Sequence, residues 1–313
     1  LTEVRALPWP LQQLGSAVAT LALAVAVLFA LVLAAPGDPI DLVGTEATRA
    51  QLSAEFGYDR TPAQRLGAWA LGAASGDLGV SRVLRPGAGV GELLAPRAAT
   101  SIGTLTAATA LLAGLGTTLA LWTRGRRDGA TATVHALSSP PSFLLAFALV
   151  TIANATTWAA MSRGLVSRPA WFALPDQDSW VRWALGVAVL AVGSGALSSV
   201  HAELEDHFAR VVREPWLDAA LGRGERVGGL LLRATVPVLA AVLADRAALL
   251  AGALIVVEKV LLVPGLGAAL FDAAAARDYD VVCSTALLAT TWVVGVRTTA
   301  ALARAAVDPR LRS

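Results

Sequence analysis

The chain has 313 residues, of which 56% are hydrophobic and only 15% charged, with a mean hydropathy of +0.62 and a formal net charge of +2. A soluble chain carries charge on roughly a quarter of its residues, so a large water-soluble globule is excluded, and a charge so near balance argues against a nucleic-acid surface. The single cysteine, Cys283, lies in an apolar run, which leaves neither a disulfide framework nor a cysteine-based metal cluster.

Several apolar runs reach the ~20 residues that a helix needs to cross a bilayer. They predict an all-α polytopic membrane protein with about six transmembrane helices. In chain order the spans are 11–35, 101–122, 131–153, 183–200, 234–257 and 281–303. The first run is read as a retained membrane helix, because it is too long for a signal peptide and no small-x-small cleavage site follows it. Trp122, Trp158, Trp180 and Trp183 fall near span ends, where an aromatic belt places them.

Three segments organise the chain: residues 1–35 with the first membrane helix, residues 36–99 as an external stretch of short helices, and residues 100–313 as the transmembrane core. Pro36-Gly37-Asp38-Pro39 stops the first helix. Within the external stretch, residues 45–56 have helical character. Arg124, Arg126 and Arg127, then Arg210, Arg213, Arg223, Arg226 and Arg233, then Arg304, Arg310 and Arg312 fall on one side of a six-span chain. The positive-inside rule makes that side cytoplasmic and puts both termini there.

The polar stretch at about 201–233 is the most informative. It reads Asp218-Ala219-Ala220, then Gly224, then Pro237 13 positions further on. Small Ala219 and Ala220 let a short helix lie close to a partner. Gly224 adopts φ > 0 without steric cost and ends that helix, and Pro237 stands where the next span begins. This stretch resembles the EAA loop of ABC importer permeases, E-A-A-x-x-x-G followed by nine residues and I-x-L-P.

Further pieces match in order. Phe56-Gly57-Tyr58-Asp59-Arg60, Gly76-Asp77-Leu78-Gly79, Ser139-Pro140-Pro141-Ser142-Phe143, Pro264-Gly265-Leu266-Gly267, Arg277-Asp278-Tyr279-Asp280 and the Asp308-Pro309 tail resemble the first permease subunit of the dipeptide/oligopeptide/nickel branch. That resemblance implies the type I importer permease fold in a bacterial inner membrane. It also implies a second, homologous permease subunit as a heterodimer partner, two cytoplasmic ATPase subunits docked on the loop, and an external solute-binding protein. ATP and Mg would bind on the ATPase subunits; no cofactor is implied in this chain. Peptides are the default cargo of the branch, with nickel and other small solutes open.

Remaining candidates are weighed residue by residue. Asp245 and Arg246 sit within the fifth span, where a charge is costly and faces a bundle interior or a watery cavity. They either line the translocation path or pair structurally, with Arg297 or with a partner subunit. Pro140 and Pro141 interrupt the third span as a hinge, a pore-lining bend or a static kink. Glu258 and Lys259, the latter the only lysine, end the fifth span as an outer gate, a binding-protein contact or snorkelling residues. His135, His201 and His207 have no metal-ligand spacing, and His201 and His207 are read as loop or interface residues. No G-x-x-x-x-G-K-[ST], G-x-S-x-G or H-E-x-x-H stretch exists, so the chain is not expected to be an enzyme. The rival reading is a stand-alone secondary transporter or channel that uses the intramembrane charges; it leaves the 218–224 pattern without a purpose.

Overall fold

A computed structural model describes residues 9–34, 53, 60–124, 129–165 and 179–307. Eleven helices are found among them: α1 (Trp9–Ala34), α2 (Pro62–Ala74), α3 (Val90–Thr123), α4 (Gly129–Ser138), α5 (Ser142–Ser162), α6 (Ser179–Val192), α7 (Ala196–Val211), α8 (Pro215–Gly222), α9 (Val227–Leu261), α10 (Leu266–Ala276) and α11 (Tyr279–Val307). Four of them, α3, α5, α9 and α11, are long and apolar enough to cross a membrane. The bent pair α6–α7 makes a fifth span if taken together, and α1 holds a shorter apolar stretch over Gln12–Val27. The all-α, multi-pass reading therefore holds. Pro36–Pro39, Phe56–Asp59 and Asp308–Pro309 lie outside the described residues, as do Arg126, Arg127, Arg310 and Arg312 and, apart from residue 53, the stretch 45–56.

Two expected spans have different bounds. The run at 131–153 is not one helix: α4 stops at Ser138, and the apolar span is α5, Ser142–Ser162. Pro140 and Pro141 cause this. Neither can donate a backbone N–H, and each ring crowds the preceding turn. The run at 183–200 is likewise split into α6 and α7, which meet at 47° across Gly193-Ser194-Gly195. Ser194 (φ 56°) and Gly195 (φ 71°) are both left-handed, a conformation no helix propagates.

By Cα packing the chain divides into two compact units, residues 1–102 with 264–294 and residues 103–263 with 295–313. The first holds a core of Val90, Leu94, Leu266, Ala269, Ala273, Val281 and Val282. It is pinned by Asp278, which is 1% exposed. One carboxylate oxygen of Asp278 accepts from Ser81 Oγ (2.7 Å) and from the backbone N–H groups of Arg82, Val83 and Leu84 (3.0–3.1 Å). The neighbouring Asp280 pairs with Arg82 Nε at 3.3 Å and packs on Gly79, where a Cβ would come within 3.1 Å of its Oδ2. The Gly76–Gly79 and Arg277–Asp280 stretches, far apart in sequence, are thus two halves of one corner. Ser101 Oγ in α3 accepts from Leu266 N at 2.7 Å, capping α10, whose own N-cap residue, Gly265, has no side chain to do so.

In the second unit the two helix breaks dock on each other. Ser194 N–H donates to the Pro140 carbonyl (2.8 Å) and Gly195 N–H to the Ser138 carbonyl (2.7 Å). Ser142 N–H, at the start of α5, donates to Ser194 Oγ (2.9 Å), and Ser198 N–H, in the first turn of α7, donates to Ser138 Oγ (3.1 Å). Each break thereby caps the helix that begins at the other. Gly193 permits the approach, since a Cβ there would lie 2.8 Å from Ser142 Cα. Close packing recurs at Gly116 of α3, where a Cβ would meet Val200 Cγ1 of α7 at 2.5 Å.

Gly193→Ala and Gly116→Ala should each destabilise the detergent-solubilised protein by about 1–3 kcal/mol, the usual range for overpacking. Gly114→Ala, which meets nothing within 4 Å, should be neutral. Thermal unfolding of the three variants checks this; equal melting for all of them would refute the docked breaks. Asp278→Ala strands the amides of residues 82–84 and should cost more than about 2 kcal/mol, read as proteolytic nicking in the 81–86 loop that the parent resists.

Candidate functional site: a coupling helix and intramembrane charges

The stretch read as a polar loop is almost wholly helical. Residues 201–211 finish α7, Pro215–Gly222 form α8, and α9 starts at Val227. Pro215 opens α8 in the first turn, where its missing N–H costs nothing. Asp218 lies in the same turn, where a carboxylate favours the positive end of the helix dipole. The other end closes in a Schellman arrangement: Glu225 N–H donates to the Ala220 carbonyl (3.1 Å) and Gly224 N–H to the Leu221 carbonyl (2.9 Å). Gly224 has φ of 78°, and open space surrounds the position of a Cβ, so backbone conformation rather than room requires glycine there.

The helix is two-faced. Leu217 and Ala220 are buried at 3% and 1%, one turn apart on the inner face. Trp216 and Leu221 are 43% and 42% exposed, and Asp218 and Ala219 are exposed with them. Two large apolar side chains offered beside a small one and a charge make a contact face. Pro237 is not at a helix start: it lies within the 35-residue α9, so the link from Gly224 to the membrane is a continuous helix that begins ahead of the proline.

Within α9, Asp245 is exposed and Arg246 half-buried. Among the described residues neither forms an ion pair, so the pairing with Arg297 is not made within the chain. The Nε of Arg246 is buried without a hydrogen-bond partner. It borders a small cleft with Ser142, Gly193 and Ser194, which brings it to the docked breaks and hence next to the Pro140–Pro141 interruption. Glu258 and Lys259 end α9. Glu258 is 1% exposed and Lys259 half-buried, and their carbonyls take the capping N–H groups of Leu262 and Val263. His201 and His207 are not in a loop: both are on the inner face of α7, at 0% and 9% exposure.

Sequence reasoning missed the mutual capping of the two breaks. The Gly193-Ser194-Gly195 triplet, inside an apolar run, was the signal that could have found it.

The family profile described as "Binding-protein-dependent transport system inner membrane component" matches residues 110–313. The chain belongs to this family. It is 28% identical over 303 residues to a peptide permease protein of Brucella ovis (91% of this chain, 92% of that one). It is 27% identical over 318 residues to the glutathione transport system permease protein of Pectobacterium atrosepticum (96% and 98%). With the permease protein of a peptide ABC transporter of Sinorhizobium fredii it shares 26% identity over 323 residues (96% and 98%). The chain is a multi-pass permease subunit of an ABC importer with the type I permease fold. In such importers ATP hydrolysis belongs to separate subunits and an external binding protein delivers the solute.

Gly224→Ala forces an L side chain into the left-handed region and should destabilise α8 by about 1 kcal/mol. Gly224→Asn, which tolerates that region, should lose less. Hydrogen exchange of the 220–226 amides would read the difference, and equal protection in both variants would refute the conformational argument.

Proposed function

We propose that this chain carries peptides or a similar small solute, as one of two non-identical permease subunits in a bacterial inner membrane, with both termini in the cytoplasm. The observation that carries this reading is α8: a short helix, capped at its C-terminal end, between membrane helices, with Leu217 and Ala220 turned in and Trp216, Asp218, Ala219 and Leu221 turned out. An ATPase groove takes the outer face. The arginines at 210, 213, 223 and 226 around it support a cytoplasmic side. When the ATPases close, α8 moves with them and passes the displacement to α7 and α9 as rigid bodies.

Arg246 lines the translocation path beside the Pro140–Pro141 interruption, and exposed Asp245 belongs to the same stretch. A buried guanidinium nitrogen without a protein partner suits the carboxylate of a peptide in transit. In this reading half-buried Lys259 contacts the binding protein and buried Glu258 belongs to the outer gate. The names of the relatives support a peptide-like cargo.

The test is affinity purification of the tagged chain from its native membrane. ATPase, a second permease and ATP hydrolysis should be recovered, and all hydrolysis should be lost when residues 218–224 are deleted. A chain that comes down alone and transports without ATP would refute the importer reading. In the recovered complex Arg246→Gln should lower peptide uptake about tenfold, as loss of a charge-assisted hydrogen bond predicts. Uptake unchanged in Arg246→Gln would remove that residue from the path.

A further inference from the structure

The inner face of α7 is apolar at Leu197, Val200, Leu204 and Phe208, all buried. His201 and Glu205, one turn apart, break that pattern. Glu205 Oε1 accepts from Thr123 Oγ1 at 2.7 Å and from Thr131 Oγ1 at 3.4 Å. Thr123 is the last residue of α3 and Thr131 lies in the first turn of α4, so one carboxylate oxygen of α7 ties two other helix ends. His201 Nε2 lies 2.9 Å from Thr123 Oγ1, and its ring meets the edge of His135 of α4 at 6.2 Å. The second Glu205 oxygen is 3.8 Å from His201 Nδ1, which has no hydrogen-bond partner. Thr123 has one proton, and two acceptors face it, Glu205 Oε1 at 2.7 Å and its own helix's Leu119 carbonyl at 2.9 Å. With the proton on the shorter bond to Glu205, the hydroxyl oxygen accepts from His201 Nε2–H, and the chain of bonds from His201 to Glu205 has one direction.

A cavity of about 420 Å³ opens beside this cluster, bordered by Arg124, Thr131, His135, Glu205 and Asp206. Asp206 is already paired with Arg210 on α7. The cluster is thus a directional joint with free volume on one side, set in a face that apolar packing alone could hold. Apolar contacts slide; a bonded carboxylate has discrete partners, and moving it without them is costly. From Glu205 the helix continues to Val211, a lever of about 9 Å at helical rise, and the chain then turns into α8 at Pro215.

We propose that Thr123, His201 and Glu205 are positioning residues that fix the register of α7 against α3 and α4. They thereby set the stance of α8 toward the ATPase and the amount of solute moved per ATP hydrolysed. This rests on the reading of α8 as the ATPase-docking helix.

The experiment uses the full complex, purified with its ATPases, reconstituted in proteoliposomes and supplied with its binding protein and a radiolabelled mixed-dipeptide pool. Solute uptake and phosphate release are measured together. Thr123→Val, nearly isosteric, and Glu205→Ala should lower solute moved per ATP about fivefold while ATPase is retained at parental stoichiometry, the effect of one lost buried hydrogen bond. Glu205→Gln keeps an acceptor oxygen and should stay within about twofold of the parent. An unchanged ratio in Thr123→Val overturns the proposal, including when melting temperature or yield falls, because that outcome assigns the cluster to folding alone. If Glu205→Ala does not assemble, Thr123→Val and Glu205→Gln decide. A separate arm, Leu221→Arg on the exposed face of α8, tests the underlying reading. ATPase retained at the parental level there refutes docking through α8, whatever the ratio does in the other variants.

Discussion

Inside a bilayer there is no water to bond a freed amide or carbonyl, so a helix can stop only where protein supplies the missing partner. The second compact unit meets this constraint twice at one place. The α4–α5 break exposes the Ser138 and Pro140 carbonyls, and the α6–α7 break supplies the Ser194 and Gly195 amides that bond them. Ser194 and Ser138 then cap α5 and α7 reciprocally. Neither break is tolerable without the other, which makes the pair a single structural element although its halves are some fifty residues apart in the sequence. Ser101 does the same for α10 in the first unit. Serine supplied from a segment distant in sequence, rather than from the N-cap position, is the recurring solution among the described residues.

That constraint also explains where the charges are. An arginine such as Arg246 is costly at membrane depth, and here it borders a small cleft beside the docked breaks. Polar serines and free backbone direction are already concentrated there, so a cation is less out of place than along an uninterrupted apolar helix. The same reasoning applies to His201 and Glu205, which sit where α3 ends and α4 begins, among groups able to bond them.

Helix α8 is a different kind of object. It is eight residues long, too short to be stable alone. Its shape is held by Pro215 at one end, the Schellman turn through Gly224 at the other, and the burial of Leu217 and Ala220 between them. Everything that would meet a partner is left outside. A short element fixed at both ends and packed on one side transmits displacement without absorbing it, which is what a force-bearing contact requires.

Much of this was legible in the sequence because it follows from local chemistry. Apolar length alone dictates membrane helices, proline dictates a break after Ser138, and Gly224 dictates where α8 stops. The Asp218–Gly224 pattern marked the short helix α8 because its small residues and its glycine stop are local. What the tertiary structure decided was every partnership across distance. In the apolar run at 183–200 the Gly193-Ser194-Gly195 triplet marks a weak point, but only the fold shows the left-handed pair at Ser194 and Gly195 meeting Pro140 and Ser138. In the sequence Asp278 is only one member of the Arg277–Asp280 piece; the fold shows the amides of residues 82–84 around it. His201 was read as a loop or interface residue because one-dimensional spacing does not reveal that Thr123, 78 positions earlier, stands 2.9 Å away. Periodicity and turn chemistry are properties of neighbouring residues and survive in one dimension; the satisfaction of a buried polar group depends on which distant segment arrives beside it, and only the folded chain settles that.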